Sequence, residues 1–133
     1  VKSGDPNLLI TGVDFVSMPT HDLQASSAFY GETLGLPRSV FLPEQNFAEF
    51  ETANLTLNVI DAEAMGLEHR PNRQGVALHV EDVAAARAML EERGVAFDGP
   101  TIDTGVCHMA RFSDPEGNAL LLHHRYAPRT VPG

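Results

Sequence analysis

Six histidines, one cysteine and a scatter of carboxylates are the residues of this 133-residue chain that could carry chemistry near neutral pH. Imidazole titrates in that range, so a histidine can move a proton, donate to a bound carbonyl or phenol, or ligate a metal. The plainer alternative holds for each of them: a ring hydrogen-bonded to backbone, water or a neighbour, since a buried unpaired imidazole costs roughly 1–3 kcal/mol. His79 and His123 lie in apolar, strand-like runs. His21 stands beside a helix cap, His69 falls in a polar connector, and His124 has the opposite parity to His123; none of these three is assigned a role. Cys107 reads as a small strand residue. A single cysteine rules out an intramolecular disulfide framework and agrees with a reducing compartment, so a cytoplasmic protein is expected.

The elements that must position these residues are written twice. Residues 10–20 read as a strand leading to Asp22, and residues 76–80 as a strand leading to Asp82, sixty residues further on. Each aspartate can accept from the free N–H groups that open a helix. The helical patterns run over 23–34, with Leu23, Tyr30 and Leu34 on one stripe, and over 83–93, with Val83, Ala86 and Leu90 facing inward. Gly35 and Gly94 stand where a left-handed residue lets the chain leave the helix. Strands are expected at 38–42, 47–51 and 55–60, and again at 95–97, 106–112 and 119–124. Phe50 and Asn54 bracket a turn that Phe112 and Asn118 bracket again, the second longer by Asp114-Pro115-Glu116-Gly117, a turn-forming composition. Each half therefore reads β-α-β-β-β, and duplication with an insertion in one turn accounts for both.

One domain of two modules follows: 10–60 and 75–125, joined by a polar connector at 61–74, with a flexible N-terminus at 1–9 and an extended tail at 126–133. Nothing approaches the roughly 18 consecutive apolar residues of a membrane span, and no membrane partner is expected. Net charge is −9 with nine Lys and Arg in total, which argues against a nucleic-acid surface, because phosphate binding relies on clustered cations.

With Asp22-Leu23, Phe29-Tyr30 and Leu34-Gly35-Leu36 in the first module, and Phe112-Ser113-Asp114-Pro115-Glu116-Gly117-Asn118 in the second, the chain resembles the vicinal oxygen chelate superfamily over about residues 10–125. That superfamily includes glyoxalase I, extradiol dioxygenases, fosfomycin-modifying enzymes and bleomycin-binding proteins. The resemblance implies an α+β fold, two tandem βαβββ modules forming a cupped eight-stranded mixed sheet around a cavity. It also implies a homodimer, with modules paired within one chain or across two. In metal-using members the ligands come from the first and last strand of each module. Carried onto this chain, those positions fall on Phe15, Leu57, Gly75 and Leu121, none of which offers a metal donor. A divalent catalytic site needs about three donors from His, Asp, Glu or Cys, so no metal and no cofactor is expected there.

Side chains alternate along a strand, so Ser17, Pro19, Ala77, His79 and His123 should share the cavity face with Phe15, Gly75 and Leu121. The first and last strands of a module can lie side by side, which would make His79 and His123 neighbours. The expected function is binding of a small, mostly apolar organic molecule, aromatic or drug-like, with Phe15, Leu57, Gly75 and Leu121 as the floor and Ser17, His79 and His123 orienting it. Antibiotic resistance by sequestration follows by analogy with the bleomycin-binding members. The alternative is a lyase, isomerase or dioxygenase-type enzyme, with His79 or His123 as proton carrier or with an unconventional metal site of His79, His123 and a third donor such as Glu49 or His108. A pure interaction module is a third option. Phe41, Phe47, Met109 and Arg111 should wall the cavity or pack on the helices, according to a register the sequence leaves open.

Overall fold

A computed structural model describes residues 7–129. Residues 1–6 of the expected flexible terminus and 130–133 of the expected extended tail lie outside the described residues. The first module runs β1 (Phe15–Pro19), α1 (Leu23–Ala28), β2 (Arg38–Leu42), β3 (Phe47–Glu51) and β4 (Thr56–Ile60). The second runs β5 (Val76–His79), α2 (Val83–Glu92), β6 (Ile102–Asp103), β7 (Cys107–Ser113) and β8 (Ala119–Arg125). The strand orders are β1-β4-β3-β2 and β5-β8-β7-β6. In each sheet the first strand runs parallel to the last and the remaining pairs are antiparallel. The eight strands thus form two sheets of four, an α+β fold of two tandem modules.

The duplicated caps have the same geometry. Asp22 Oδ1 accepts from the Ala25 amide and Asp82 Oδ1 from the Ala85 amide, both at 3.0 Å. The first helix departs from the expected regular course after Ala28. Residues Phe29–Thr33 form a wider π-helical turn, closed by the Leu34 amide on the Phe29 carbonyl, before Gly35 leaves at φ +74°. From this turn Tyr30 meets the Phe50 ring at 5.8 Å and Phe29 reaches Phe112 of the second module at 6.4 Å.

Those contacts join both modules in one core. Met18, Phe50, Leu57 and Val59 of the first sheet are buried in the same cluster as Val83, Leu90, Phe112, Leu120 and Leu122 of the second module. The helix-bearing faces of the two sheets, each packed by the helix of its own module, therefore contribute to one core, and the opposite faces point away from it. No described helix is long and apolar enough to cross a membrane.

Two expected strands change. The first, read as 10–20, is confined to Phe15–Pro19 because its one neighbour, β4, begins opposite Phe15; Leu9, Ile10 and Val13 are left exposed. The strand expected at 95–97 does not form. The Val95 amide bonds back to Leu90 to close α2, and Val95 and Phe97 pack against the core as loop residues. The edge strand of that sheet is instead the two-residue β6.

Candidate functional site

Ladder register decides which side chains face away from the core. In the first sheet Phe15 pairs with Thr56 and Ser17 with Asn58, while Glu49 and Glu51 lie opposite Asn58 and Thr56 on the other side of β4. Phe15 is 56% exposed. Asn58 Oδ1 is buried and has no hydrogen-bond partner, an acceptor held ready on this face that the sequence reading overlooked. Glu51 is held below the usual carboxylate range by donation from Ser39 and from Thr56.

Leu57 is the site residue that the structure moves. It pairs with Val16 and Phe50 and lies fully buried on the helix-bearing face. Counting from the Asn54 turn missed by one residue, and one residue in a strand turns the side chain to the opposite face. The outward positions are Thr56 and Asn58.

In the second sheet Ala77 pairs with Leu121 and His79 with His123, on the face opposite to the buried Leu120 and Leu122. Gly75, at φ +94°, precedes β5; a Cβ there would stand 3.2 Å from Leu121 Cδ2. Met109 lies beside His123 and Arg111 beside Leu121, both outward, as Phe47 is in the first sheet. Phe41 instead packs on the core, with the Arg38 guanidinium 4.1 Å from its ring.

His79 and His123 are register partners, but the imidazole that approaches His79 is that of His124, with ring centroids 5.8 Å apart. His79 Nε2 is 3.0 Å from Glu81 Oε1. That hydrogen bond, the His79 charge and then His124 hold the Glu81 carboxyl low. His108 keeps different company, Asp103 and the Tyr126 ring. The donors that converge are therefore His79, Glu81 and His124, and the expected set of His79, His123 and Glu49 or His108 does not assemble among the described residues.

The positions from which metal-using relatives would take ligands now read Phe15, Thr56 or Asn58, Gly75 and Leu121. Neither place where three His, Asp, Glu or Cys donors converge among the described residues includes any of them. This donor set does not fit a divalent ion.

A groove of about 550 Å³ opens between the modules, where Leu34, Leu36, Leu55 and Leu57 face Val76, Leu78 and Met89, with His79 and Arg93 among its polar neighbours. Its size falls in the ordinary range for small-ligand sites.

A chain of two βαβββ modules with these caps and turns has a definite family. The Glyoxalase/Bleomycin resistance protein/Dioxygenase superfamily model matches residues 12–122, and the chain belongs to that superfamily. Among solved structures it is similar to TnmS3, an antibiotic-binding protein from Streptomyces sp. CB03234, at 31% identity and a TM-score of 0.75, over 89% of this chain and 98% of that one. A glyoxalase/bleomycin resistance protein/dioxygenase from Nocardioides shares 26% identity at a TM-score of 0.76, over 96% and 91% of the two chains. Lactoylglutathione lyase from Agrobacterium tumefaciens has a TM-score of 0.76 over 87% and 95%, but at 15% identity it speaks for the fold alone. The curated proteins compared with the chain gave no match.

Proposed function

We propose that this protein binds a small, mostly apolar organic ligand of the antibiotic class without a metal, in the cytoplasm, and that two copies pair to enclose it. The carrying observation is the outward face of the first sheet. It presents an exposed aromatic ring, Phe15, and, one outward position further along the same face beside Ser17, a buried acceptor without a donor, Asn58 Oδ1. A flat apolar molecule bearing one donor group satisfies both. The outward face of the second sheet, with Ala77, His79 and His123, supplies the complementary wall. Each helix-bearing face is already packed by its own helix within the chain, so the outward faces can close only against another surface. The free edges of β1 and β5 favour a second copy of the chain. The likeness to an antibiotic-binding protein supports the ligand class, and the unpaired, buried Cys107 suits a reducing compartment.

A second reading seats the ligand in the inter-module groove, whose volume and lining favour it. Calorimetric titration with a panel of aromatic antibiotics, run in chelator, separates the two. On the first reading Asn58→Ala weakens binding about tenfold, the worth of one hydrogen bond, while Met89→Trp, which fills the groove, has no effect. The reverse pattern moves the ligand to the groove. A requirement for added metal, or turnover of the ligand with a neutral-pH limb lost in His79→Asn, overturns the binding-protein reading in favour of an enzyme. Sedimentation showing a monomer at micromolar concentration removes the pairing.

A further inference from the structure

A second constellation lies away from these faces, at the joint between the modules. His21 comes from the turn between β1 and α1, Glu63 and His69 from the connector, and Glu116 from the turn between β7 and β8. The scaffold beneath them is rigidly tied. Asn118 donates to the Pro19 carbonyl at 2.9 Å and its Oδ1 accepts from the Asn72 amide at 2.8 Å, so one side chain holds the same three segments together. The His21 amide donates to Glu116 Oε1 at 2.8 Å, which seats that carboxylate against the first module.

We infer that His21, His69 and Glu116 form a binding site for a divalent transition-metal ion of the zinc class, with Glu63 orienting His21. The distances separate this from a plain ion-pair cluster. His21 Nδ1 and His69 Nε2 stand 3.4 and 3.6 Å from the same oxygen, Glu116 Oε1. Charge-assisted hydrogen bonds would bring them to about 2.7–2.9 Å. Ligands of a tetrahedral ion with bonds of about 2.0–2.1 Å stand roughly 3.4 Å from one another.

His21 Nε2, by contrast, is 2.9 Å from Glu63 Oε1. That is the arrangement in which an outer carboxylate fixes the proton on one imidazole nitrogen and leaves the other for the metal. The His69 side chain is 11% exposed and turns its Nε2 toward Glu116; its Nδ1, which has no hydrogen-bond partner, keeps the ring proton when Nε2 ligates the ion. Two nitrogens and one carboxylate oxygen suit Zn²⁺ or Ni²⁺ better than Mg²⁺ or Ca²⁺, which prefer all-oxygen shells.

One feature must change on loading. The two imidazoles are stacked, centroids 3.6 Å apart and 24° from parallel, and rings sharing an ion must splay. His21, 53% exposed, has the room to turn. The ion then clamps both modules and the connector, with one coordination position left to solvent.

The test uses the full chain purified without an affinity tag, stripped with chelator and titrated with Zn²⁺ by calorimetry, with thermal unfolding in parallel. The expected result is one Zn²⁺ per chain and a Tm that rises with zinc concentration. His69→Gln and Glu116→Gln should each lower affinity by more than about 100-fold, and Glu63→Gln by about 10- to 100-fold. Their Tm values in chelator show whether each variant folds. His124→Asn dismantles the other donor cluster and should leave zinc affinity unchanged. Absence of saturable binding overturns the inference, as does binding that survives His69→Gln and Glu116→Gln or disappears in His124→Asn. Ligand binding in chelator is unaffected by any of these outcomes, so the proposed function stands or falls separately.

Discussion

The Tyr30 hydroxyl donates to Asp114 Oδ2 at 2.7 Å, joining the first module to the second across 84 residues. Tyr30 is fully buried, and Asp114 is nearly so. The carboxylate is sustained there because it also accepts from Asn118 Nδ2 and from the Glu116 and Asn118 amides. A buried charge is tolerable only with such a shell of donors. The acidic turn 114–118 is therefore also the lock between the two halves.

Removing the two partners of this lock should have unequal effects. Tyr30→Phe leaves Asp114 with its other three donors and should cost about 1–3 kcal/mol. Asp114→Ala leaves the Tyr30 hydroxyl, the Asn118 amide group and two backbone amides without their acceptor and should cost about 3 kcal/mol or more. Urea unfolding of both variants measures this; equal losses would mean that the turn contacts contribute nothing.

The same contact predicts alkaline sensitivity. Burial first, then the Asp114 charge and the hydrogen bond to it, push the Tyr30 phenol well above its usual range. The folded chain thus keeps a proton that the unfolded chain releases near pH 10. The stabilisation is whole below that pH and is lost as pH rises above it, by up to about 1.4 kcal/mol per pH unit. Relative to Tyr30→Phe, the wild-type protein should lose stability steadily above pH 10. Parallel stability curves for the two proteins would contradict this.

Gly75 should be far less replaceable than Gly12. At φ +94°, and with Leu121 Cδ2 at 3.2 Å from a built Cβ, Gly75→Ala combines a left-handed strain of about 1–2 kcal/mol with displacement of an outward-face residue. Gly12 has nothing within 4 Å, and Gly12→Ala should be nearly neutral. Paired thermal melts decide, and similar Tm values for the two variants would refute the assignment of strain at Gly75.

Short-range signals made much of the fold legible. The two capping aspartates, the exit at Gly35 and the strands Arg38–Leu42 and Phe47–Glu51 stand in the structure as the sequence implied. The pairing of His79 with His123 followed from the order of strands within a module. Where the reading slipped, the missing information was a partner. The length of β1 depends on where β4 begins, and the face taken by Leu57 depends on a register set by Val16 and Phe50.

By itself, then, the sequence determined the duplicated β-α-β-β-β order, the helix starts and the lack of metal donors at Phe15, Gly75 and Leu121. These rest on periodicity, capping and residue type, which are properties of neighbours along the chain. Only the tertiary structure decided that the two modules meet through Phe29 against Phe112 and Tyr30 against Asp114. It also brought His21, His69 and Glu116 together from three distant segments. Neither outcome has a local signature, because both arise from packing between modules, where a side chain's surroundings are supplied by residues far away in sequence.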